Sequence, residues 1–231
     1  MDFGNRHVVI TGGTGALGGA VVGGLLAAGA TCHVPFLHEA EAEHFPYRAD
    51  PKVKLIAAGD LADEAVVTRL YAGVSSPWAS IHLAGGFAGG NVADTGKQDL
   101  MRQLDGNFVS CFLCCCAAVN AMAANGGRIV NVAARAALEW RTGAGMAAYA
   151  ASKAAVAAMT AALAEEVAPK NILVNAVVPS IMDTPANRKA MPKANFDAWP
   201  KVEEVAATIL FLASSDNKVT RGALVPVYGR S

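Results

Sequence analysis

The segment Tyr149-Ala150-Ala151-Ser152-Lys153 places a phenol and an ammonium four residues apart at the start of an apolar, alanine-rich stretch. Residues at that spacing share a helix face. A phenol with a reference pKa of about 10 is a weak acid at neutral pH, and a cation held beside it favours the phenolate and lowers that pKa. Tyr149 would then exchange a proton with a reacting carbonyl or imine. The same pair also fits an ordinary surface helix, so its meaning depends on the elements around it.

A second chemical feature lies near the start of the chain. Thr11-Gly12-Gly13-Thr14-Gly15-Ala16-Leu17-Gly18 follows the β-branched run His7-Val8-Val9-Ile10 and precedes an apolar helical stretch. That is the setting of a dinucleotide-binding turn. Gly12 permits the tight turn, Gly15 lets backbone approach a pyrophosphate, and Gly18 lets helix and strand pack closely. The helix N-terminus offers free N-H groups and partial positive charge to phosphates. Selection between NADH and NADPH is expected at the end of the second strand, where an acid would bind ribose hydroxyls and a base would accept a 2'-phosphate. Pro35-Phe36-Leu37-His38 supplies neither, so NAD(P)H is implied without a preference.

These residues need a frame. Short β-branched runs alternate with longer alanine-rich helical runs, which predicts an α/β fold, a parallel sheet covered by helices on both faces. Seven strands are expected near Arg6 to Thr11, Thr31 to Phe36, Val53 to Ala57, Ser80 to Leu83, Arg128 to Val132, Ile172 to Val177 and Ala223 to Val227. Helices are expected over Leu17 to Ala28, Asp63 to Tyr71, Gln98 to Asn125, Ala147 to Val167 and Val202 to Ser214. No repeat or linker divides the chain, so residues 1–231 are read as one domain. Asp183 to Pro200 breaks the alternation with Pro185, Pro192 and Pro200 and no clear period, and is read as a lid over the substrate.

Composition narrows the partners. With 231 residues, one α/β domain buries a full core without metals or disulfides. Acidic and basic residues balance at 19 each, which argues against nucleic acid and for a small-molecule ligand. The oiliest stretch, Val109 to Ala124, is interrupted by Ser110 and Asn120 and is short for a span, so no membrane is expected. No secretory signal is read at the N-terminus, and the expected compartment is the cytoplasm. Cys111, Cys114, Cys115 and Cys116 crowd together, yet three are consecutive on a helix and no histidine neighbours them in sequence, so they are read as packing residues. His7, His33, His38, His44 and His82 likewise show no metal-ligand spacing. His82 alone ends a strand on the cofactor side, and no metal is expected.

With the glycine turn, Asp60 after the third strand, Ala84-Gly85 after the fourth, Asn107 in the next helix and the Tyr149/Lys153 pair, the chain resembles the short-chain dehydrogenase/reductase family over essentially its whole length. The resemblance implies a Rossmann-type doubly wound sheet and NAD(P)H-dependent oxidoreduction. It assigns Gly12, Thr14, Gly15, Leu17 and Gly18 to the cofactor phosphates, Asp60 and Leu61 to the adenine, and Ala84, Gly85 and Gly86 to the path along the cofactor. Lys153 would bind the nicotinamide ribose, Tyr149 would donate the proton, and Asn107 would hold a water relay. Pro179, Ile181 and Thr184 match the segment that holds the carboxamide, with Ser180 where a glycine is usual.

At the end of the fifth strand, Asn131-Val132-Ala133-Ala134-Arg135 lacks the serine that usually hydrogen-bonds the substrate oxygen. Losing such a donor costs roughly 3 kcal/mol of transition-state stabilisation, and Thr142 would replace it only if its loop folds back. Quinonoid dihydropteridine reductases share that absence and resemble the chain at Ala84 to Gly90, Arg135 to Leu138, Gly145-Met146 and Asp183 to Pro192. The implied substrate is a planar conjugated pterin lying between Tyr149, Phe87 and Met146. Asn107, Phe36 and Phe87 depart from that subgroup. A carbonyl reductase without the serine, and a cofactor-binding regulator that has lost catalysis, stand beside this reading. The helices over Gln98 to Asn125 and Ala147 to Val167 have more small and apolar positions than one core-facing stripe needs, and imply a homodimer or homotetramer.

Overall fold

The computed structural model describes residues 1–231. Seven strands form one parallel sheet in the order β3-β2-β1-β4-β5-β6-β7. They are β1 (His7–Thr11), β2 (Thr31–Phe36), β3 (Val53–Ala57), β4 (Pro77–His82), β5 (Gly127–Val132), β6 (Ile172–Pro179) and β7 (Leu224–Val227). The order reverses direction between β1 and β4, where Thr11 pairs with His82. A crevice opens at such a switch point beyond the carboxyl ends of the strands, the usual binding place in this architecture.

Alternation along each strand divides the interior. Val8, Ile10, Val34 and Ile81 point to one face, where α1 (Ala16–Ala27) and α9 (Val202–Ala213) close an apolar core with Val21, Leu25, Ile209 and Leu212. Val9, Ile129 and Val174 point to the other face, under α3 (Glu64–Ala72), α5 (Ser110–Met122) and α7 (Ala147–Glu166). Helix ends follow local chemistry. The Asp63 carboxylate accepts from the Ala65 and Val66 N-H groups at the start of α3. Gly29, at φ +90°, ends α1 in the left-handed conformation that a side chain would resist.

Several short elements were not anticipated: α2 (Glu39–Glu43), α6 (Arg135–Leu138) and α8 (Pro185–Ala190). The long helix expected after the fourth strand is α4 (Lys97–Leu104) continuing into α5 through a π turn at Asp105–Val109. The whole run Lys97–Met122 and α7 are each long and apolar enough to cross a membrane by length and composition alone. In the fold α5 packs on β4 and α7 on β6.

The Asp183 to Pro200 stretch is more ordered than its sequence suggests. Thr184 caps α8, a 3-10 turn spans Phe196–Ala198, and the Asp183 N-H donates to the Pro200 carbonyl at 2.9 Å, tying the two ends together. Arg188 forks onto Asp183 at 2.6 and 2.8 Å and lies over the Phe196 ring, which packs on Trp199.

Candidate active site

The glycine turn bends between β1 and α1 under tight contact. Gly12 has φ +65°, and a Cβ there would come within 2.7 Å of the Ala84 nitrogen. A Cβ on Gly18 would overlap the Gly12 carbonyl, so this glycine serves packing rather than ligand contact. Leu17 is likewise buried in the apolar core. Gly12, Thr14, Gly15, Asp60, Leu61, Ala84 and Gly85 line a cleft of about 390 Å3 at the β1/β4 switch point. Those seven cofactor candidates therefore converge. A larger cavity of about 800 Å3 lies between the 183–200 excursion and α9, bordered by Arg188, Lys201 and Arg230. It contains neither the glycine turn nor the catalytic candidates, whereas the smaller cleft carries the glycine turn and reaches Gly85, the immediate neighbour of Asn107 and Lys153.

The same cleft is lined by Glu41, which sequence reading missed. Its Oε2 accepts from the Thr14 hydroxyl at 2.9 Å, while Oε1 accepts from the His38 N-H at 3.3 Å and caps α2. The signal was the run His38-Glu39-Ala40-Glu41, in which a glutamate three residues into a helix reaches back to its start.

The catalytic candidates gather around Gly85 and Gly86. The π turn aims Asn107 inward, where only 1% of it is exposed. Its Oδ1 accepts from the Gly86 N-H at 3.0 Å and its Nδ2 donates to the Gly86 carbonyl at 3.0 Å, clamping that residue's backbone through both of its peptide groups. Nδ2 also lies 3.2 Å from the Ser152 hydroxyl, which donates to the Tyr149 carbonyl. Gly85 is held at φ +155°, and a Cβ there would strike Asn107 Oδ1 and come within 3.4 Å of Lys153 Nζ. Asn107, Lys153 and Gly85 are thus immediate neighbours.

Lys153 donates to the Val132 carbonyl at the end of β5, at 2.9 Å. Burial lowers its pKa to about 8, partly offset by the Cys111 sulfur. Burial also raises Tyr149 to about 12. The expected lowering of the phenol by its lysine is therefore corrected: the ammonium is directed at a backbone carbonyl, and desolvation governs both groups.

Phe87 packs edge-on against Tyr149, with ring centroids 5.0 Å apart at 82°, and is itself 64% exposed. The Gly90 N-H donates to the Gly145 carbonyl at 2.8 Å, and Gly90 pairs with Met146, which opens α7. Phe87 and Met146 thus border the Tyr149 end of the site. Pro179 ends β6, Ile181 is exposed, and the Thr184 hydroxyl accepts from the Asn187 N-H at 3.2 Å, so these three stand outside the lining of the cleft. Ala134 is buried just before α6 with no hydroxyl to offer. Thr142 does not replace it, because its hydroxyl is exposed and donates to the Glu139 carbonyl at 2.8 Å.

Cys111, Cys114 and Cys115 pack in the core as expected, whereas Cys116 is exposed. His7 and His33, on adjacent strands, lie 2.8 Å apart through their ring nitrogens, and burial with His7 lowers His33 to about 4. His82 does not face the cleft. It is 3% exposed and sits against Cys111 and Cys115, a pairing that linear spacing concealed because it forms between β4 and α5.

Comparison with known proteins agrees with this geometry. The family model for short chain dehydrogenase matches residues 6–195. A dihydropteridine reductase from Dictyostelium discoideum is 31% identical over 227 residues, covering 96% of this chain and 94% of that protein. A galactitol 2-dehydrogenase from Rhizobium johnstonii is 33% identical over 239 residues, covering 96% and 93%. Among solved structures, a short chain dehydrogenase/reductase family protein superposes with a TM-score of 0.91 at 26% identity, covering 99% of this chain and 98% of that one. ElxO with NADP bound superposes at 0.89 with 22% identity, covering 97% and 98%, a likeness of fold.

Proposed function

The chain belongs to the short-chain dehydrogenase family and is an NAD(P)-dependent oxidoreductase; from that premise we propose that it reduces a quinonoid dihydropterin or a similar planar conjugated compound. A nicotinamide held in the cleft would supply the hydride. Gly12, Thr14, Gly15 and the N-terminus of α1 would hold the pyrophosphate, with Asp60 and Leu61 at the adenine end. Tyr149 supplies the proton, and a pKa raised to about 12 keeps it protonated through the neutral range. Lys153 presents a buried cation beside Gly85, and Asn107 fixes the Gly86 peptide that borders the reacting region.

The observation that carries the pterin reading is the missing second donor. Ala134 offers no hydroxyl and Thr142 spends its own on Glu139, so a simple ketone oxygen would meet Tyr149 alone. A conjugated imine spreads its developing charge through its ring and has less need of that donor. The exposed Phe87 edge beside Tyr149 supplies an aromatic wall for a flat substrate. The likeness to the Dictyostelium enzyme supports the same assignment. The excursion from Asp183 to Pro200, tied at its neck, is assigned as the cover of this substrate. The test follows nicotinamide absorbance on adding quinonoid dihydropterin, with oxidation expected. Oxidation by a panel of ketones but not by the pterin would overturn the substrate.

We further infer a preference for NADH. Glu41 and Asp60 are the charged side chains lining the cleft, and no Lys or Arg is among them to neutralise a 2'-phosphate. Glu41 is placed to accept from ribose hydroxyls instead. Fluorescence titration should show tighter binding of NADH than of NADPH, and Glu41→Ala should narrow the gap about tenfold, the effect of one unfavourable charge pair of ~1.4 kcal/mol. Equal affinities in the unaltered chain would remove this assignment.

Self-association is proposed through the outer faces of α4, α5 and α7, where Leu100, Met101, Phe112 and Cys116 are exposed. Light scattering that gives a monomer at micromolar concentration would overturn it.

A further inference from the structure

Behind the catalytic lysine, four donor atoms on β4, α5 and β5 converge at one buried point. His82 Nδ1 lies 3.5 Å from Cys115 Sγ and 3.9 Å from Cys111 Sγ. Asn131 Oδ1 lies 3.4 Å from Cys111 Sγ, 3.6 Å from Cys115 Sγ and 2.8 Å from His82 Nδ1. The histidine and both sulfurs have their donor atoms within 4.8 Å of one another. A tetrahedral ion bonded to sulfur at ~2.3 Å and to nitrogen or oxygen at ~2.0–2.2 Å separates a sulfur from a nitrogen or oxygen ligand by roughly 3.6 Å. The four sulfur distances bracket that edge length, while the 2.8 Å between His82 Nδ1 and Asn131 Oδ1 is a hydrogen bond that must open by roughly 0.6 Å for both atoms to reach one ion.

The surroundings already orient the donors. Asn131 Nδ2 donates to the Thr160 hydroxyl at 2.9 Å, and that hydroxyl donates to the Val156 carbonyl at 2.7 Å, so Oδ1 is the atom turned to the centre. His82 Nε2 lies 2.8 Å from the Ser80 hydroxyl, which lies 2.6 Å from the Tyr71 hydroxyl. Hydroxyls rotate, so this chain can serve either imidazole tautomer. With the proton on Nδ1 it is given to Asn131. With the proton on Nε2 it is given to Ser80, and Nδ1 presents a lone pair to the centre. A metal-binding histidine is held in this second way, by a partner on its far nitrogen.

We propose that His82, Cys111 and Cys115 form a structural site for a thiophilic closed-shell cation, Zn2+, with the Asn131 carboxamide oxygen as its fourth neighbour. Soft sulfur ligands with imidazole select such an ion over Mg2+ or Ca2+. Every position is filled from the chain, which makes the site structural rather than catalytic. On binding, the sulfur protons are released to solvent and the imidazole proton resides on Nε2. No electron transfer is involved. Because the site is 3% exposed at His82 and less than 6% at both cysteines, the ion enters as the chain folds.

The test expresses the full chain in zinc-supplemented medium, dialyses it against a weak chelator and measures metal by elemental analysis. A parallel sample is refolded with Co2+. The expected results are equimolar zinc, and visible bands of tetrahedral cobalt with a near-ultraviolet sulfur-to-metal band. Cys111→Ala and Cys115→Ala should lose both, while Cys114→Ala, a buried cysteine on the same helix outside the cluster, keeps them. Absence of stoichiometric zinc together with a cobalt sample lacking the sulfur band overturns the proposal, as does retention of that band in either cluster variant. Should a cluster variant fail to fold, the cobalt spectrum of the unaltered chain decides alone.

Discussion

Against one face of the sheet, α1 and α9 bury an apolar layer in which Val8, Ile10, Val34 and Ile81 meet Val21, Leu25 and Ile209. Against the other, strand positions that would ordinarily carry aliphatic residues hold Ser80, His82 and Asn131, and the facing helices contribute Tyr71, Asn107, Ser152, Lys153 and Thr160. Both layers are closed to solvent, yet they do so by different means. The first depends on shape and hydrophobic burial, and the second on hydrogen bonds that must all be satisfied at once. The catalytic candidates Tyr149, Lys153 and Asn107 all belong to this second face, beside the end of the cleft at Gly85.

Three variants separate the two faces. Tyr149→Phe should lower the rate of nicotinamide-dependent reduction about 10³-fold, the scale of losing a positioned proton donor, with the thermal midpoint unchanged. Full activity in that variant would remove the mechanism. Leu25→Ala, fully buried under the apolar face, should lose about 3 kcal/mol in denaturant unfolding while the folded enzyme keeps its turnover rate. A comparable loss of turnover would mean that the faces are coupled.

Lys153→Met addresses the cost of the polar face. The lysine falls from an unperturbed 10.5 to about 8 on burial, so between these values the unfolded chain holds the proton more tightly than the folded one. Stability must then rise with pH across that window, by at most ~3 kcal/mol. The methionine variant should abolish activity, be at least as stable at pH 7, and lack that rise. Unfolding curves at pH 7 and pH 10, compared between the two proteins, check the difference. An identical pH response would show that Lys153 is solvated. In the unaltered enzyme, reduction should decline as pH climbs through about 8, when this cation is neutralised.

Sequence patterning revealed the frame where punctuation was sharp. β2 and β3 begin and end as expected because glycine, proline and polar residues bracket their β-branched runs. β4 starts three residues earlier than its alternation suggests, since Pro77 reads as a boundary although the strand admits it as its first residue. The glycine turn, Asp60, Ala84 and Gly85 were legible because their role depends on local backbone geometry. The convergence of His82 on two cysteines was not, because no spacing along the chain reports which helix crosses a strand. Glu41 was not, because the acid lies on a short polar helix rather than at the end of β2, where a ribose-binding acid is expected. Tyr149 and Lys153 were legible as a pair, but their proton affinities depend on burial, which four residues of spacing do not encode.

The π turn at Asp105–Val109 has a consequence for how this protein can vary. One additional residue in a helix rotates everything beyond it by roughly 100°. The N-terminal half of the long helix presents its face to the neighbourhood of α7, while the C-terminal half lays its cysteines on β4. Deleting a single residue such as Gly106 would bring the two halves into a common phase, turning Asn107 away from Gly86 or Cys111 away from His82. The helix therefore tolerates substitution more readily than a change in length, and its two halves can diversify separately only while that one residue stays between them.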